Sequence, residues 1–290
     1  MSFASGTTKE FGVGRQRAFA QVDVFTDTAT LGNPVAVVLD GAGLSTEEMQ
    51  AFTEWTNLSE ATFVLPPTSP EADYRVRIFC PGRELPFAGH PTLGTCHAWL
   101  AAGNAPAGEY VVQECGVGLV RIRRTEAGSL AFAAPPLARF GPLEDSELHR
   151  IVTGMDLDPG AVVDHQWCDN GPGWRGVLLR STEDLYSVTI DPHALAGMDI
   201  GLVAPSDGDA DFEVRAFFPG NQGITEDPVT GSLNAALGQW LIGAGLAPDS
   251  YTALQGLALG RRGLVSIERD GSDVWVGGQS VTVIQGEVAL

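Results

Sequence analysis

Residues 76–82 read "VRIFCPG" and residues 214–220 read "VRAFFPG". Five of the seven positions are identical, and the copies start 138 residues apart (214 − 76), close to half of the 290-residue chain. Each phrase closes a strand-like run, "YRVRIF" (74–79) or "FEVRAF" (212–217), with turn-forming Pro-Gly. The segments downstream agree as well. "CPGRELPFAGHPTLGTCHAWLAAG" (80–103) and "FPGNQGITEDPVTGSLNAALGQWLIGAG" (218–245) each run from a loop into a helix of small and apolar residues. The expected first helical residue is Pro91 in one copy; in the other it is Pro228, with Asp227 as N-cap. Gly103 stops the first helix, and Gly243 or Gly245 the second. Helices with so few charges on any side are enclosed ones. The unit is therefore strand, Pro-Gly loop and buried helix. Two copies at this period predict a duplicated domain with a pseudo-two-fold axis, not a solenoid.

Around the repeat the pattern is β-rich with interspersed helices, an α+β class. "FAQVDVFT" (19–26) alternates as a strand, and "NPVAVVLD" (33–40) reads as a more buried one. "LSTEEMQAFTEWTN" (44–57) reads as a helix with a Ser45–Glu48 capping box and Met49, Phe52 and Thr56 on one face. "LSEATFVLPP" (58–67) returns to strand and stops at the prolines. The lobe boundary is expected near 125, after "GVGLVRIRR" (116–124). The lobes then cover 15–125 and 126–276. "VWVGGQSVTVIQGEV" (274–288) reads as two short strands around Gly277-Gly278, and the first lobe is completed by 277–290.

Hydrophobic residues make up 44% and charged residues 18%, which suits a large core. Lys plus Arg number 17 against 36 Asp plus Glu, a net charge of −19. Such a surface repels phosphate backbones and anionic lipid, so no nucleic acid and no membrane is expected as a partner. No apolar run reaches a membrane span, and "MSFASGTTKEFGVGRQR" (1–17) reads as a loose leader without a secretory apolar core. Cys80, Cys96, Cys115 and Cys168 show neither C-x-x-C nor metal-ligand spacing. They read as reduced thiols in a cytoplasmic protein.

An exposed helix start presents unpaired N–H groups and about half a positive charge. Two buried helices aimed into one cleft thus make a carboxylate site without any lysine, even on an acidic chain. The polar residues at the starts are His90 and Thr92 in one half, and Asp227, Thr230 and Ser232 in the other. Glu60, in an apolar neighbourhood, has the raised pKa that suits proton transfer. Each has a plainer reading: Glu60 as an outward strand residue, His90 and Asp227 as caps, Thr230 and Ser232 as first-turn hydroxyls. The equivalent placement of both clusters in the duplicated unit favours function.

The phrases "VDVFTDTATLGNPVAVVLD" (22–40), "NLSEATFVLPP" (57–67), "ELPFAGHPTLG" (84–94), "EDPVTGS" (226–232) and "LGRRG" (259–263) together resemble the PhzF family of phenazine-biosynthesis-like isomerases over about 19–288. The resemblance implies the diaminopimelate epimerase-like fold, in which each of two pseudo-symmetric lobes wraps a mixed sheet around a central helix. It implies Glu60 as general acid/base, with His90 and Asp227 sharing in proton movement. It also implies Asn33, Gly89, Thr230, Gly231 and Ser232 as substrate contacts, no cofactor, no metal, and a homodimer. Relatives that epimerise amino acids use two thiols at the helix starts, where this chain has Gly89 and Asp227; two-thiol racemisation is disfavoured.

"GPGWRG" (171–176) matches G-x-G-x-x-G, but the strand-like "VLLRS" comes next, where a dinucleotide fold needs a helix. Ser232, His90 and Asp227 lack the G-x-S-x-G elbow of a hydrolase. The reading is a cofactor-independent isomerase moving a proton in a small carboxylate-bearing substrate. An amino- or hydroxy-acid epimerase, and an inactive binding protein of the same fold, stand as alternatives.

Overall fold

Strands and helices run through one order twice in the computed structural model, which describes residues 14–125, 128–220 and 223–290. The first pass is β1 (Gln16–Val24), β2 (Asn33–Val38), α1 (Thr46–Thr56), β3 (Ala61–Leu65), β4 (Tyr74–Cys80), β5 (Arg83–Leu85), α2 (Gly89–Ala101), β6 (Val111–Cys115), β7 (Gly118–Arg124) and β8 (Leu130–Ala133). After α3 (Asp145–Gly154) comes the second pass. It is β9 (Val162–Cys168), β10 (Trp174–Leu179), α4 (Thr182–Ser187), β11 (Asp199–Pro205), β12 (Phe212–Gly220), β13 (Gly223–Asp227), α5 (Gly231–Gly243), β14 (Ser250–Gln255), β15 (Gly263–Asp270) and β16 (Asp273–Gly278). A last strand, β17 (Ser280–Ala289), ends the order.

Strand pairing repeats along with the order. β2–β3 and β10–β11 are parallel, each across a helix, and β4–β6 and β12–β14 are parallel across α2 and α5. The remaining neighbours within each pass are antiparallel. The two passes meet where β8 pairs antiparallel with β16, its own counterpart. β17 then crosses back to pair with β1 along its whole length. At ten residues it is longer than the short strand expected there.

All seventeen strands form one continuous sheet, and the strands of each pass pack around their own helix. Ten residues of α2 and ten of α5 are buried, because small and apolar side chains cover every side of both. Leu93 and Leu237 are wholly or almost wholly enclosed, so truncating either to Ala costs about 2–5 kcal/mol. The stops are as expected, with Gly103 and Gly245 in the left-handed region at φ +91° and +72°. Helix α1 carries its capping box: Ser45 Oγ accepts from the Glu48 amide at 3.2 Å, and the Glu48 carboxylate accepts from the Ser45 amide at 2.8 Å. Thr53, and not Thr56, joins Met49 and Phe52 on its buried side.

Three expectations need correction. Asp227 does not cap α5; it is the last residue of β13, held opposite Ala216, and the helix begins four residues later at Gly231. Helix α2 begins at Gly89, two residues before Pro91. Glu60 lies in the turn before β3, so it is not an outward strand residue. Most of the leader expected over 1–17 lies outside the described residues, and β1 already begins at Gln16. The second half of "GPGWRG" is already strand β10, so no helix follows the motif, in line with the strand-like "VLLRS".

Candidate active site

The register of the two hairpins shows how the copies correspond. Ile78 faces Leu85 across β4–β5, and Ala216 faces Asp227 across β12–β13. Asp227 therefore occupies the place of Leu85, and Gly231 the place of Gly89, both 142 residues on (231 − 89). The duplication has supplied a carboxylate to one lobe only.

Gly89 and Gly231 lie back to back. A Cβ on Gly89 would stand 2.9 Å from Gly231 Cα and from the Phe132 ring, and one on Gly231 would stand 2.9 Å from Gly89 Cα and 3.0 Å from His90 N. Only glycine allows the two helix starts so close. Neither N-cap residue, Ala88 or Thr230, caps its helix through a side chain, and neither first turn holds an acidic residue. Neither positive helix end is neutralised by a side chain of its own first turn.

Against this junction sit two buried titratable groups and a third, Glu60, whose side chain is 16% exposed although its Oε2 is buried. His90, the second residue of α2, is 4% exposed, and Asp227 is 9% exposed. The Glu60 side chain approaches from the turn before β3, with Oε2 3.3 Å from His90 Nε2. The two atoms are close but misaligned, and neither has a hydrogen-bond partner among the described residues. Burial pushes the Glu60 carboxyl up from 4.5 to about 8; the nearby Asp227 charge adds to the rise and a hydrogen bond with Ser59 opposes it. Burial holds His90 down from 6.5 to about 3, opposed by a hydrogen bond to the Pro34 backbone. Both shifts favour the neutral forms, so burial works against an ion pair at this contact.

Asp227 is raised by burial to about 6, against hydrogen bonds from Thr230 and Asn33. Thr230 Oγ1 donates to Asp227 Oδ2 at 2.5 Å, and Asn33 Nδ2 donates to Asp227 Oδ1 at 3.0 Å and to the Val229 carbonyl at 2.8 Å. Asn33, from β2, therefore ties the first lobe to the Asp227 loop of the second, with His90 Nδ1 3.4 Å away. Beneath them Gln255, on β14, bonds Thr230, Asn234 and the Asp227 carbonyl.

Seven expected site residues thus form one cluster: Asn33, Glu60, Gly89, His90, Asp227, Thr230 and Gly231. Ser232 is set to its side, its Oγ accepting from the Trp174 indole at 3.0 Å. Thiols are absent from both helix starts; Cys96 and Cys168 are buried elsewhere, and burial pushes each up to about 12. The sequence reading does not single out Gln255. A signal was present, since Gln113 and Gln255 stand at the same 142-residue interval (255 − 113) as the two glycines. Two surface grooves, of about 460 and 220 Å³, include none of these groups; the site rests on its buried groups.

Two lobes wrapped around meeting helices, with an acid beside the junction, define the α+β diaminopimelate epimerase-like architecture of a PhzF-like isomerase. Over residues 22–286 the chain matches PhzC-PhzF, the phenazine biosynthesis-like proteins, and it belongs to that family. It is 35% identical to antisense-enhancing sequence 1 of Schizosaccharomyces pombe, over 94% of this chain and 98% of that one. It is 32% identical to trans-2,3-dihydro-3-hydroxyanthranilate isomerase of Pseudomonas fluorescens, over 93% of this chain and 98% of that one. The crystal structure of a PhzF-family protein from Enterococcus faecalis superposes with a TM-score of 0.79 at 25% identity, covering 95% of this chain and 100% of the other. Among the described residues, no helix is long and apolar enough to cross a membrane.

Proposed function

We propose that this chain is a cofactor-independent isomerase that moves a proton, and with it a double bond, in a small carboxylate-bearing substrate, with Glu60 as general acid/base. One observation carries the reading: Glu60 Oε2 is buried and unpartnered, 3.3 Å from His90, beside two uncapped helix starts. With its carboxyl raised to about 8 by burial, Glu60 is mostly protonated at pH 7 and a minority is ionised. That fraction takes a proton from an activated carbon: a C–H bond breaks and an O–H bond forms on Glu60. The electron pair spreads through the unsaturated system towards the substrate carboxylate, where the amides of Gly89 and Gly231 stabilise it. The proton then returns to another carbon, and Glu60 is regenerated. His90, Asp227 and Ser232 orient the substrate, with Asn33 and Thr230 holding Asp227.

The hydroxyanthranilate named for the Pseudomonas relative is an unsaturated ring acid of this kind, and it is the first substrate to test. Incubation in D₂O is expected to shift the double bond and place deuterium on the newly protonated carbon. Glu60→Gln should lower the rate by about 10²-fold or more. Unchanged turnover in that variant would end the assignment. The proximity of the Glu60 and Asp227 carboxyls supports a second reading, epimerisation between opposed bases. It predicts deuterium at a stereocentre with every double bond in place. The same proposal sets the protein in the cytoplasm, in keeping with four unpaired cysteines, and as a homodimer, which sedimentation equilibrium tests.

A further inference from the structure

We propose that Gln255 is a positioning residue for Asp227: it fixes the Thr230 hydroxyl so that its proton points at Asp227 Oδ2. The inference rests on the reading of Asp227 as part of the working site. Gln255 is 1% exposed, and all four of its hydrogen-bonding positions are used. Its Nε2 donates to Thr230 Oγ1 at 2.9 Å and to the Asp227 carbonyl at 3.1 Å. Its Oε1 accepts from the Thr230 amide at 3.0 Å and from Asn234 Nδ2 at 2.9 Å. An amide so held cannot flip without leaving like groups facing each other. Thr230 Oγ1, already accepting from Gln255, gives its single proton to Asp227 Oδ2 at 2.5 Å. The relay runs one way, from Gln255 through Thr230 to Asp227. Each carboxylate oxygen of Asp227 then has a donor from a different lobe, the second being Asn33.

The duplication supplies a control. Gln113 is the counterpart of Gln255 on β6 and is wholly buried. It accepts from the Tyr74 hydroxyl at 3.1 Å and donates to Thr92 Oγ1 at 2.9 Å. It braces α2 but bonds none of Asn33, Glu60, His90 and Asp227. A purely structural role predicts that the two glutamines behave alike; the positioning role predicts that only Gln255 affects Asp227.

The test is ¹³C NMR titration of Asp-labelled full-length protein, with the Asp227 signal assigned from Asp227→Asn. The charged or titratable groups around Asp227 are Glu60 from the turn before β3, Glu226 on its own strand and His90 from α2, which meets the same Asn33 Nδ2, and the Leu and Val variants alter none of them. Gln255→Leu and Thr230→Val should each raise the Asp227 midpoint by roughly one pH unit, by loss of one hydrogen bond to the carboxylate. The double variant should move it no further than either single one, because both act through the same bond. Gln113→Leu should leave it in place. Should Gln255→Leu fail to fold, Gln255→Met fills the space with no donor and no charge; with the Thr230 hydroxyl no longer held, the midpoint again rises. An unmoved midpoint in the Gln255 variants, or shifts that add in the double variant, would overturn the proposal. Full turnover in Asp227→Asn would instead overturn the functional reading and leave the titration result standing.

Discussion

Gly89 and Gly231, each the first residue of its lobe's central helix, touch backbone to backbone. The contact sets the separation of the two helix starts. Gly89→Ala or Gly231→Ala puts a methyl within 2.9 Å of opposing main chain, which cannot rotate away as a side chain would. Each should cost about 1–3 kcal/mol by overpacking and lower turnover as the lobes separate. Gly243→Ala, in α5 with nothing within 4 Å of its Cβ, should be neutral or stabilising by up to about 1 kcal/mol. Urea denaturation of the three variants checks the contrast.

Burial at Glu60 has a thermodynamic cost that depends on pH. Between its ordinary 4.5 and its folded value of about 8, the folded chain keeps a proton that the unfolded chain has lost, so stability falls as pH rises through that window. Asp227, raised from 3.8 to about 6, adds a fall of the same sign at lower pH. His90, lowered from 6.5 to about 3, acts oppositely, because between those values the unfolded chain holds the extra proton. Between about pH 7 and 8 Glu60 is the largest contributor of the three, by up to about 1.4 kcal/mol per pH unit. Glu60→Gln should remove that slope, and a variant with the wild-type slope would contradict it.

Asn33 joins the lobes through a neutral amide, and its chemistry matters more than its size. Asn33→Asp preserves the shape but sets a second carboxylate 3.0 Å from Asp227 Oδ1. The Asp227 titration should move above 6, and the stability lost should be about 2–4 kcal/mol at neutral pH, decreasing towards pH 5 as the pair takes up a proton. Thermal melts across that range measure it.

Ser232 should matter least of the polar residues at the helix starts. Its oxygen is occupied by the Trp174 indole, and only its proton is left for a substrate. Ser232→Ala should raise KM by about 3–10-fold, the worth of one neutral hydrogen bond, and change kcat less. A larger fall in kcat than rise in KM would place Ser232 in the proton-moving step.

The strand–turn–helix repeat was legible because local chemistry writes it: alternation, then Pro-Gly, then a run too apolar to face water. The Ser45–Glu48 box and the stops at Gly103 and Gly245 are local signals of the same kind. Asp227-Pro228 misled for the opposite reason. The pair looks like a cap and first helical residue, but β13 holds Asp227 against β12, and its side chain reaches Asn33, 194 residues away in sequence. The Glu60 contact with His90 also depends on distant chain segments, and no local pattern encodes it. The two glutamines went unread because a single polar residue in an apolar strand is a weak mark. Their shared interval is visible only once the copies are aligned residue by residue.

Strand β17 is made after every strand of the second lobe, yet it belongs beside β1, where Gln16 pairs with Ala289. During synthesis, the early lobe must therefore wait with one flank of its sheet open while the later lobe is translated and can close. The order in which the ribosome delivers the chain thus makes the second half the better candidate to fold first, and makes the lobe that carries Glu60 and His90 the last to be sealed.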